Sequence, residues 1–126
     1  MSNKNFLIID AGMNDLLRPA IYDAEHEILP VIEERNNHYQ IVADIVGPIC
    51  ESSDVFSKNT TLPKMTSGDF LAIYSAGAYG AVMSSEYNSR PLIPELIVNE
   101  NLVSVVRSRP KIEDVIKRDQ IPYWLR

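Results

Sequence analysis

Tyr39-Gln40-Ile41-Val42-Ala43-Asp44-Ile45-Val46-Gly47-Pro48-Ile49-Cys50-Glu51-Ser52 is the stretch on which the fold turns. Its first eight residues alternate roughly between polar and apolar and are rich in β-branched side chains, which predicts a strand. Gly47-Pro48 then breaks the run, and the only cysteine follows beside a carboxylate. A thiol and a carboxylate at a strand exit can supply a proton and hold a cation. A lone cysteine is more commonly a small buried hydrophobe. On residue type alone, both readings of Cys50 stay open.

Outward from this strand, the same signals recur. Phe6-Leu7-Ile8-Ile9 reads as a buried strand running into the turn Asp10-Ala11-Gly12. Asn14 or Asp15 can cap a short helix over Leu16–Tyr22, kept short by Pro19. His26–Ile32 reads as extended, with Pro30 favouring an edge, and Glu33–His38 as a polar hairpin connection back to Tyr39. Ser52–Thr61 reads as a polar loop leading to Leu62-Pro63. Phe70–Tyr74 is a strand, followed by the small-residue run Ser75-Ala76-Gly77-Ala78. Leu92–Val98 and Leu102–Arg107 flank Asn99-Glu100-Asn101 as a hairpin. Ile112–Arg118 has helical spacing with acids early and bases late, as the helix dipole favours. The expected fold is mostly β, closed as a barrel or sandwich, with one or two short helices.

Composition sets bounds on function. The 126 residues carry a formal net charge of -5 and are 45% hydrophobic and 23% charged. That is one domain's worth of an ordinary globular chain, expected to be soluble. The acidic balance, with no basic cluster, argues against nucleic-acid binding. No apolar run is long enough to span a bilayer, so no membrane role is expected. One cysteine suits a reducing cytoplasm. His26 and His38 lack metal-ligand spacing, and no metal site is expected.

Three further groups can carry chemistry. Arg18 and Tyr22, four apart on one helix face, can grip a carboxylate bidentately with an added phenol hydrogen bond. They can equally be an exposed arginine beside a core-packing tyrosine. Tyr79, flanked by small residues and glycine, can bring its hydroxyl close to a ligand or can cover the core of a hairpin. Asn88 and Arg90 read as loop-fixing and surface residues.

In order and spacing, Asp10–Tyr22, Gly47–Ser52, Ser75–Gly80 and Tyr87–Pro91 together resemble the C-terminal part of the diaminopimelate decarboxylases, pyridoxal 5'-phosphate enzymes of fold type III. The resemblance runs from about Phe6 to about Val115. It implies that Arg18 and Tyr22 hold the substrate carboxylate at the centre that does not react. It gives Cys50 the task of protonating the carbanion left by decarboxylation, and Glu51 that of pairing with the distal ammonium of meso-diaminopimelate. It further implies that Cys50 and Glu51 act at the partner subunit's site and that Tyr79 contacts the cofactor phosphate.

In that family an N-terminal (β/α)8 barrel supplies the Schiff-base lysine and the phosphate loop. None of Lys4, Lys58, Lys64, Lys111 and Lys117 matches that motif. Residues 1–126 are therefore expected to form a single C-terminal β domain without the barrel, holding no covalently bound cofactor and inactive alone. Met1-Ser2-Asn3 fits an excised piece or a truncated gene. The barrel domain, a second copy of the chain and meso-diaminopimelate are the expected partners. Ornithine, arginine or a carboxylated polyamine are alternative substrates of the same fold type, and a stand-alone interaction module is an alternative of another class.

Overall fold

The computed structural model describes residues 4–32 and 39–125. The Glu33–His38 connection lies outside the described residues. Contacts divide the chain into two compact units, residues 1–84 and 85–126.

The first unit is organised by the strand read from the opening stretch. β3 (Gln40–Val46) lies at the centre of a three-stranded sheet between β1 (Asn5–Ile8) and β4 (Val55–Pro63). β1 runs parallel to β3, with Asn5 opposite Ala43 and Ile8 opposite Val46, and the Ile9 N–H extends the ladder to the Val46 carbonyl at 2.9 Å. Parallel neighbours need a crossover, and the chain between them carries α1 (Arg18–Tyr22) and β2 (Ile28–Pro30). The consequence is positional. The chain leaves β1 and β3 at the same end of the sheet, so the Asp10 and Gly47 loops emerge side by side.

β4 corrects the reading of Ser52–Thr61 as a loop. It is the longest strand, with Phe56 and Leu62 only 5% and 3% exposed. Its polar middle hid it. Between the pairs Ala43–Thr60 and Ile45–Ser57 the β4 side carries an extra residue, a bulge with Asn59 at φ 52°. The buried Asp44 carboxylate accepts the Asn59 N–H at 2.9 Å and pairs with Lys4 Nζ at 2.6 Å. An irregular strand is thereby stabilised by side chains its own sequence does not contain.

β2 pairs antiparallel with β5 (Leu71–Ile73) in a separate two-stranded sheet. Among the described residues β2 and β3 thus belong to different sheets. Pro30 sits on an edge as its missing N–H requires. His26 Nδ1 bonds the Tyr74 carbonyl at 3.0 Å at the end of this ladder. The core gathers Leu16, Ile28, Ala43, Ile45, Phe56 and Leu62. β1 is less buried than its apolar run suggests, with Phe6 59% and Ile8 70% exposed.

The second unit contains the hairpin of β6 (Glu95–Asn99) and β7 (Leu102–Arg107), closed by Glu100-Asn101 with Glu100 at φ 53°. α3 (Ile112–Ile116) follows, with Glu113 and Asp114 in its first turn as expected. In the first unit, a short helix α2 (Gly77–Gly80), continued by a 3-10 turn at Ala81–Met83, lies outside the helix expectations. The β-rich prediction holds. Among the described residues the strands form three small sheets, and no barrel closes.

Candidate active site

The Asp10 loop is folded by its own polar groups. The Asp15 carboxylate accepts the Gly12 N–H at 2.9 Å and the Asn14 side-chain amide at 3.0 Å, while the Asp15 N–H returns to the Gly12 carbonyl at 2.8 Å. Asn14 and Asp15 are buried here and do not cap α1. The cap position is Leu17, which has no side chain suited to the task, and Pro19 fills the first turn where its missing N–H does no harm. Asp23 ends the helix in the left-handed region, its N–H bonded to the Arg18 carbonyl.

This short helix presents Arg18 and Tyr22. The Arg18 Cζ lies 5.6 Å from the Tyr22 ring centroid and 5.3 Å from that of Tyr79. Both contacts are within cation–π range, and stacking leaves the edge of the guanidinium fork free for a carboxylate. Tyr79 stands on α2, whose buried Gly80 faces Leu16 with room for a Cβ at ordinary contact distance, 3.8 Å from Leu16 Cδ1. Tyr79 is 59% exposed, so it does not cover the core as an ordinary hairpin aromatic would. Sequence spacing alone gave no sign that Tyr79 meets Arg18, sixty-one positions earlier.

Cys50 and Glu51 stand on the neighbouring Gly47–Asp54 loop, and both are exposed. The Gly47 N–H bonds the Asp54 carbonyl at 3.0 Å and the Asp54 N–H bonds the Glu51 carbonyl at 3.0 Å, closing the loop tightly. The Glu51 carboxylate accepts its neighbour's Ser52 N–H at 3.0 Å, leaving lone pairs directed to solvent. The structure therefore brings Arg18, Tyr22 and Tyr79 into one cluster and sets Cys50 and Glu51 on a second loop. Asp54, buried beneath that second loop, was not singled out from the sequence; its carboxylate accepts both the Met13 and the Ile49 N–H at 2.7 Å.

None of these five predicted residues lines the cleft along β1 formed by Leu7, Ile9, Met65, Phe70 and Leu71. None of the five is buried. The Tyr79 phenol can give a phosphate one hydrogen bond, which fits the periphery of a phosphorylated cofactor. The lysines do not fit covalent attachment: Lys4 is engaged by Asp44, Lys117 lies 3.7 Å from Asp114 on the surface, and Lys58, Lys64 and Lys111 are exposed on β4, just after it and at the start of α3.

Residues 1–77 match the family described as pyridoxal-dependent decarboxylase, C-terminal sheet domain. The diaminopimelate decarboxylase of Zymomonas mobilis is 48% identical over 120 residues, 95% of this chain and 28% of that protein. The crystal structure of Helicobacter pylori diaminopimelate decarboxylase complexed with L-lysine superposes with a TM-score of 0.85 at 45% identity, over 94% of this chain and 29% of the other. That of the M. jannaschii enzyme in co-complex with L-lysine gives 0.88 at 40% identity, over 95% and 27%. The chain thus spans less than a third of the length of the relatives it matches. It belongs to the pyridoxal-dependent decarboxylases, as a C-terminal sheet domain of that family.

Proposed function

We propose that this chain is the C-terminal portion of a diaminopimelate decarboxylase, converting meso-2,6-diaminopimelate to L-lysine and CO2 only when joined to a barrel that binds pyridoxal phosphate. The observation that supports this reading is the Arg18 guanidinium over the Tyr22 and Tyr79 rings, on a chain that also leaves the Cys50 thiol and the Glu51 carboxylate exposed. A guanidinium suits the distal carboxylate, and the Glu51 carboxylate contributed by a second copy suits the distal ammonium, so two copies together recognise an amino-acid end group. Ornithine or arginine offers no such carboxylate at the far end, and relatives named for diaminopimelate support the same choice.

Pyridoxal phosphate, when bound, accepts the electrons released as the carboxylate leaves. The residues of this chain do the rest of what is assigned to them here. Tyr79 donates to the cofactor phosphate, Arg18 and Tyr22 fix the end of the substrate that does not react, and the Cys50 thiol delivers a proton to the carbon that has lost CO2. Cys50 and Glu51 serve the site of a second subunit. No helix among the described residues is long and apolar enough to cross a membrane, and the reaction belongs in the cytoplasm, where a single exposed thiol stays reduced. Without the barrel, the chain self-associates through its apolar hairpin.

The test is complementation. The 126-residue chain alone should form no lysine and develop no cofactor absorbance; with a folded barrel half carrying the attachment lysine it should do both. In the complemented enzyme Cys50→Ala should lower kcat about a hundredfold or more, as loss of a general acid does. Arg18→Ala should raise KM by roughly ten- to a hundredfold with less effect on kcat, and Glu51→Gln should erode discrimination for the distal ammonium. Lysine formation by the chain alone, or three silent substitutions, contradicts the assignment.

A further inference from the structure

Asp54 takes no part in the chemistry proposed above, yet its side chain is only 2% exposed. An ionised carboxylate is expensive to bury unless its oxygens are hydrogen-bonded. Here both are. Oδ1 accepts the Met13 N–H and Oδ2 accepts the Ile49 N–H, each at 2.7 Å, short as charged acceptors make them. The two donors come from different loops: Met13 from the one leading to Arg18, Ile49 from the one carrying Cys50 and Glu51.

Two glycines are shaped to this contact. A Cβ at Gly47 would overlap the Asp54 carboxylate itself. A Cβ at Gly12 would come within 2.8 Å of Ile49 Cδ1, so the loops touch at a second point. Neither neighbouring acid can substitute for Asp54, because Asp15 is engaged within its own loop and Glu51 faces outward.

We propose that Asp54 is a positioning residue, a clamp that fixes the Cys50–Glu51 loop onto the loop that sets Arg18. The clamp rests on geometry; its bearing on turnover rests on the decarboxylase reading. Each loop keeps its internal bonds when the clamp is lost, those to Asp15 in one and the Gly47–Asp54 and Asp54–Glu51 backbone pairs in the other, so what is lost is the tie between them. If Cys50 and Glu51 serve a second subunit's site, the clamp ties together parts of two sites.

Asp54→Asn keeps the size of the side chain but replaces one acceptor with an NH2 group facing a backbone N–H, so at most one of the two bonds survives. Amide hydrogen exchange on the 126-residue chain reads the result. In the wild-type protein the Met13 and Ile49 amides should exchange together, as one opening event. In Asp54→Asn at least one of the two should exchange about tenfold faster or more while amides of β3 stay protected. Alkylation of Cys50, the only cysteine, by iodoacetamide should change rate in step. Where Asp54→Asn does not fold, Gly47→Ala displaces the same carboxylate and should give the same local signature. Unrelated exchange at Met13 and Ile49 in the wild type, or a loss of protection spread evenly over the sheet, overturns the clamp.

In the complemented enzyme, Asp54→Asn should reduce kcat about tenfold and, because Glu51 rides on the same loop, weaken discrimination for the distal ammonium in step, while cofactor absorbance is retained. Loosened amides with unchanged kcat overturn the positioning role. Failure of complementation by the wild-type chain counts against the decarboxylase reading, not against the clamp.

Discussion

The two units of the chain satisfy their strands in opposite ways. In residues 1–84 the strands surround a core in which Ile45 is fully buried, and even Asn14, Asp15, Asp44 and Asp54 are taken inside. In residues 85–125 no described residue is buried. The hairpin has a two-residue turn and a regular ladder from Leu96 to Asn99, yet Leu96, Ile97, Val98, Leu102, Val103, Val105 and Val106 are all more than half exposed. Consecutive residues of a strand face opposite sides, so both faces of this hairpin are apolar. Strands with two apolar faces are ordinarily covered on both. Local turn chemistry can specify a hairpin completely while leaving its stability to surfaces found elsewhere.

The largest effect separating the units should come from paired truncations. Phe56→Ala removes a ring that is 5% exposed and should cost about 3–5 kcal/mol in urea denaturation. Val105→Ala, at a side 58% exposed, should stay within about 0.5 kcal/mol at low protein concentration. At high concentration the proposed self-association should cover the hairpin. Sedimentation should then show oligomers for the wild type and a monomer for Val105→Lys. A large cost for Val105→Ala in a demonstrated monomer would erase the contrast between the units.

How much of this was legible follows the same division. β3, the β6–β7 hairpin and α3 announce themselves through periodicity and turn residues, which are local signals. β4 did not, because Ser57-Lys58-Asn59-Thr60 looks like a loop until Asp44 on β3 and Lys4 just before β1 are seen to hold its bulge. β1 misled in the other direction, since an apolar run reports only that burial is favourable and not that a partner is present. The site residues were readable as a family pattern. Their meeting was not: the Arg18–Tyr79 contact joins residues sixty-one apart, and the proposed Asp54 clamp depends on a parallel β1–β3 pair and on Gly12 and Gly47, where a Cβ would not fit.

A smaller effect concerns acid. Lys4, first, and the Asn59 N–H, second, hold the Asp44 carboxyl below the ordinary aspartate value, with desolvation opposing them. A folded value below the unfolded one means the stabilisation is present above about pH 4 and is lost as pH falls through the lowered value. The wild-type urea midpoint should therefore drop across that acid window. Asp44→Asn should start lower and flatten the same limb, with the change confined to the first unit. An unchanged acid limb in the variant would show that Asp44 is not what the bulge depends on.

The smallest effect is expected in the second unit, and its smallness is the point. Arg118 donates two hydrogen bonds to Glu86, one of them at 2.8 Å, and the pair lowers the Glu86 pKa and raises that of Arg118. The sign matches that of Asp44: the contribution is present above the ordinary glutamate value and lost on acidification through the lowered one. Here, however, Arg118 is 58% exposed at its side chain and solvent screens the attraction. Glu86→Gln should leave the urea midpoint barely moved, and moderate salt should remove what difference there is. A substantial, salt-resistant loss would mean that this pair is shielded from water in solution, and that the second unit is covered as the first one is.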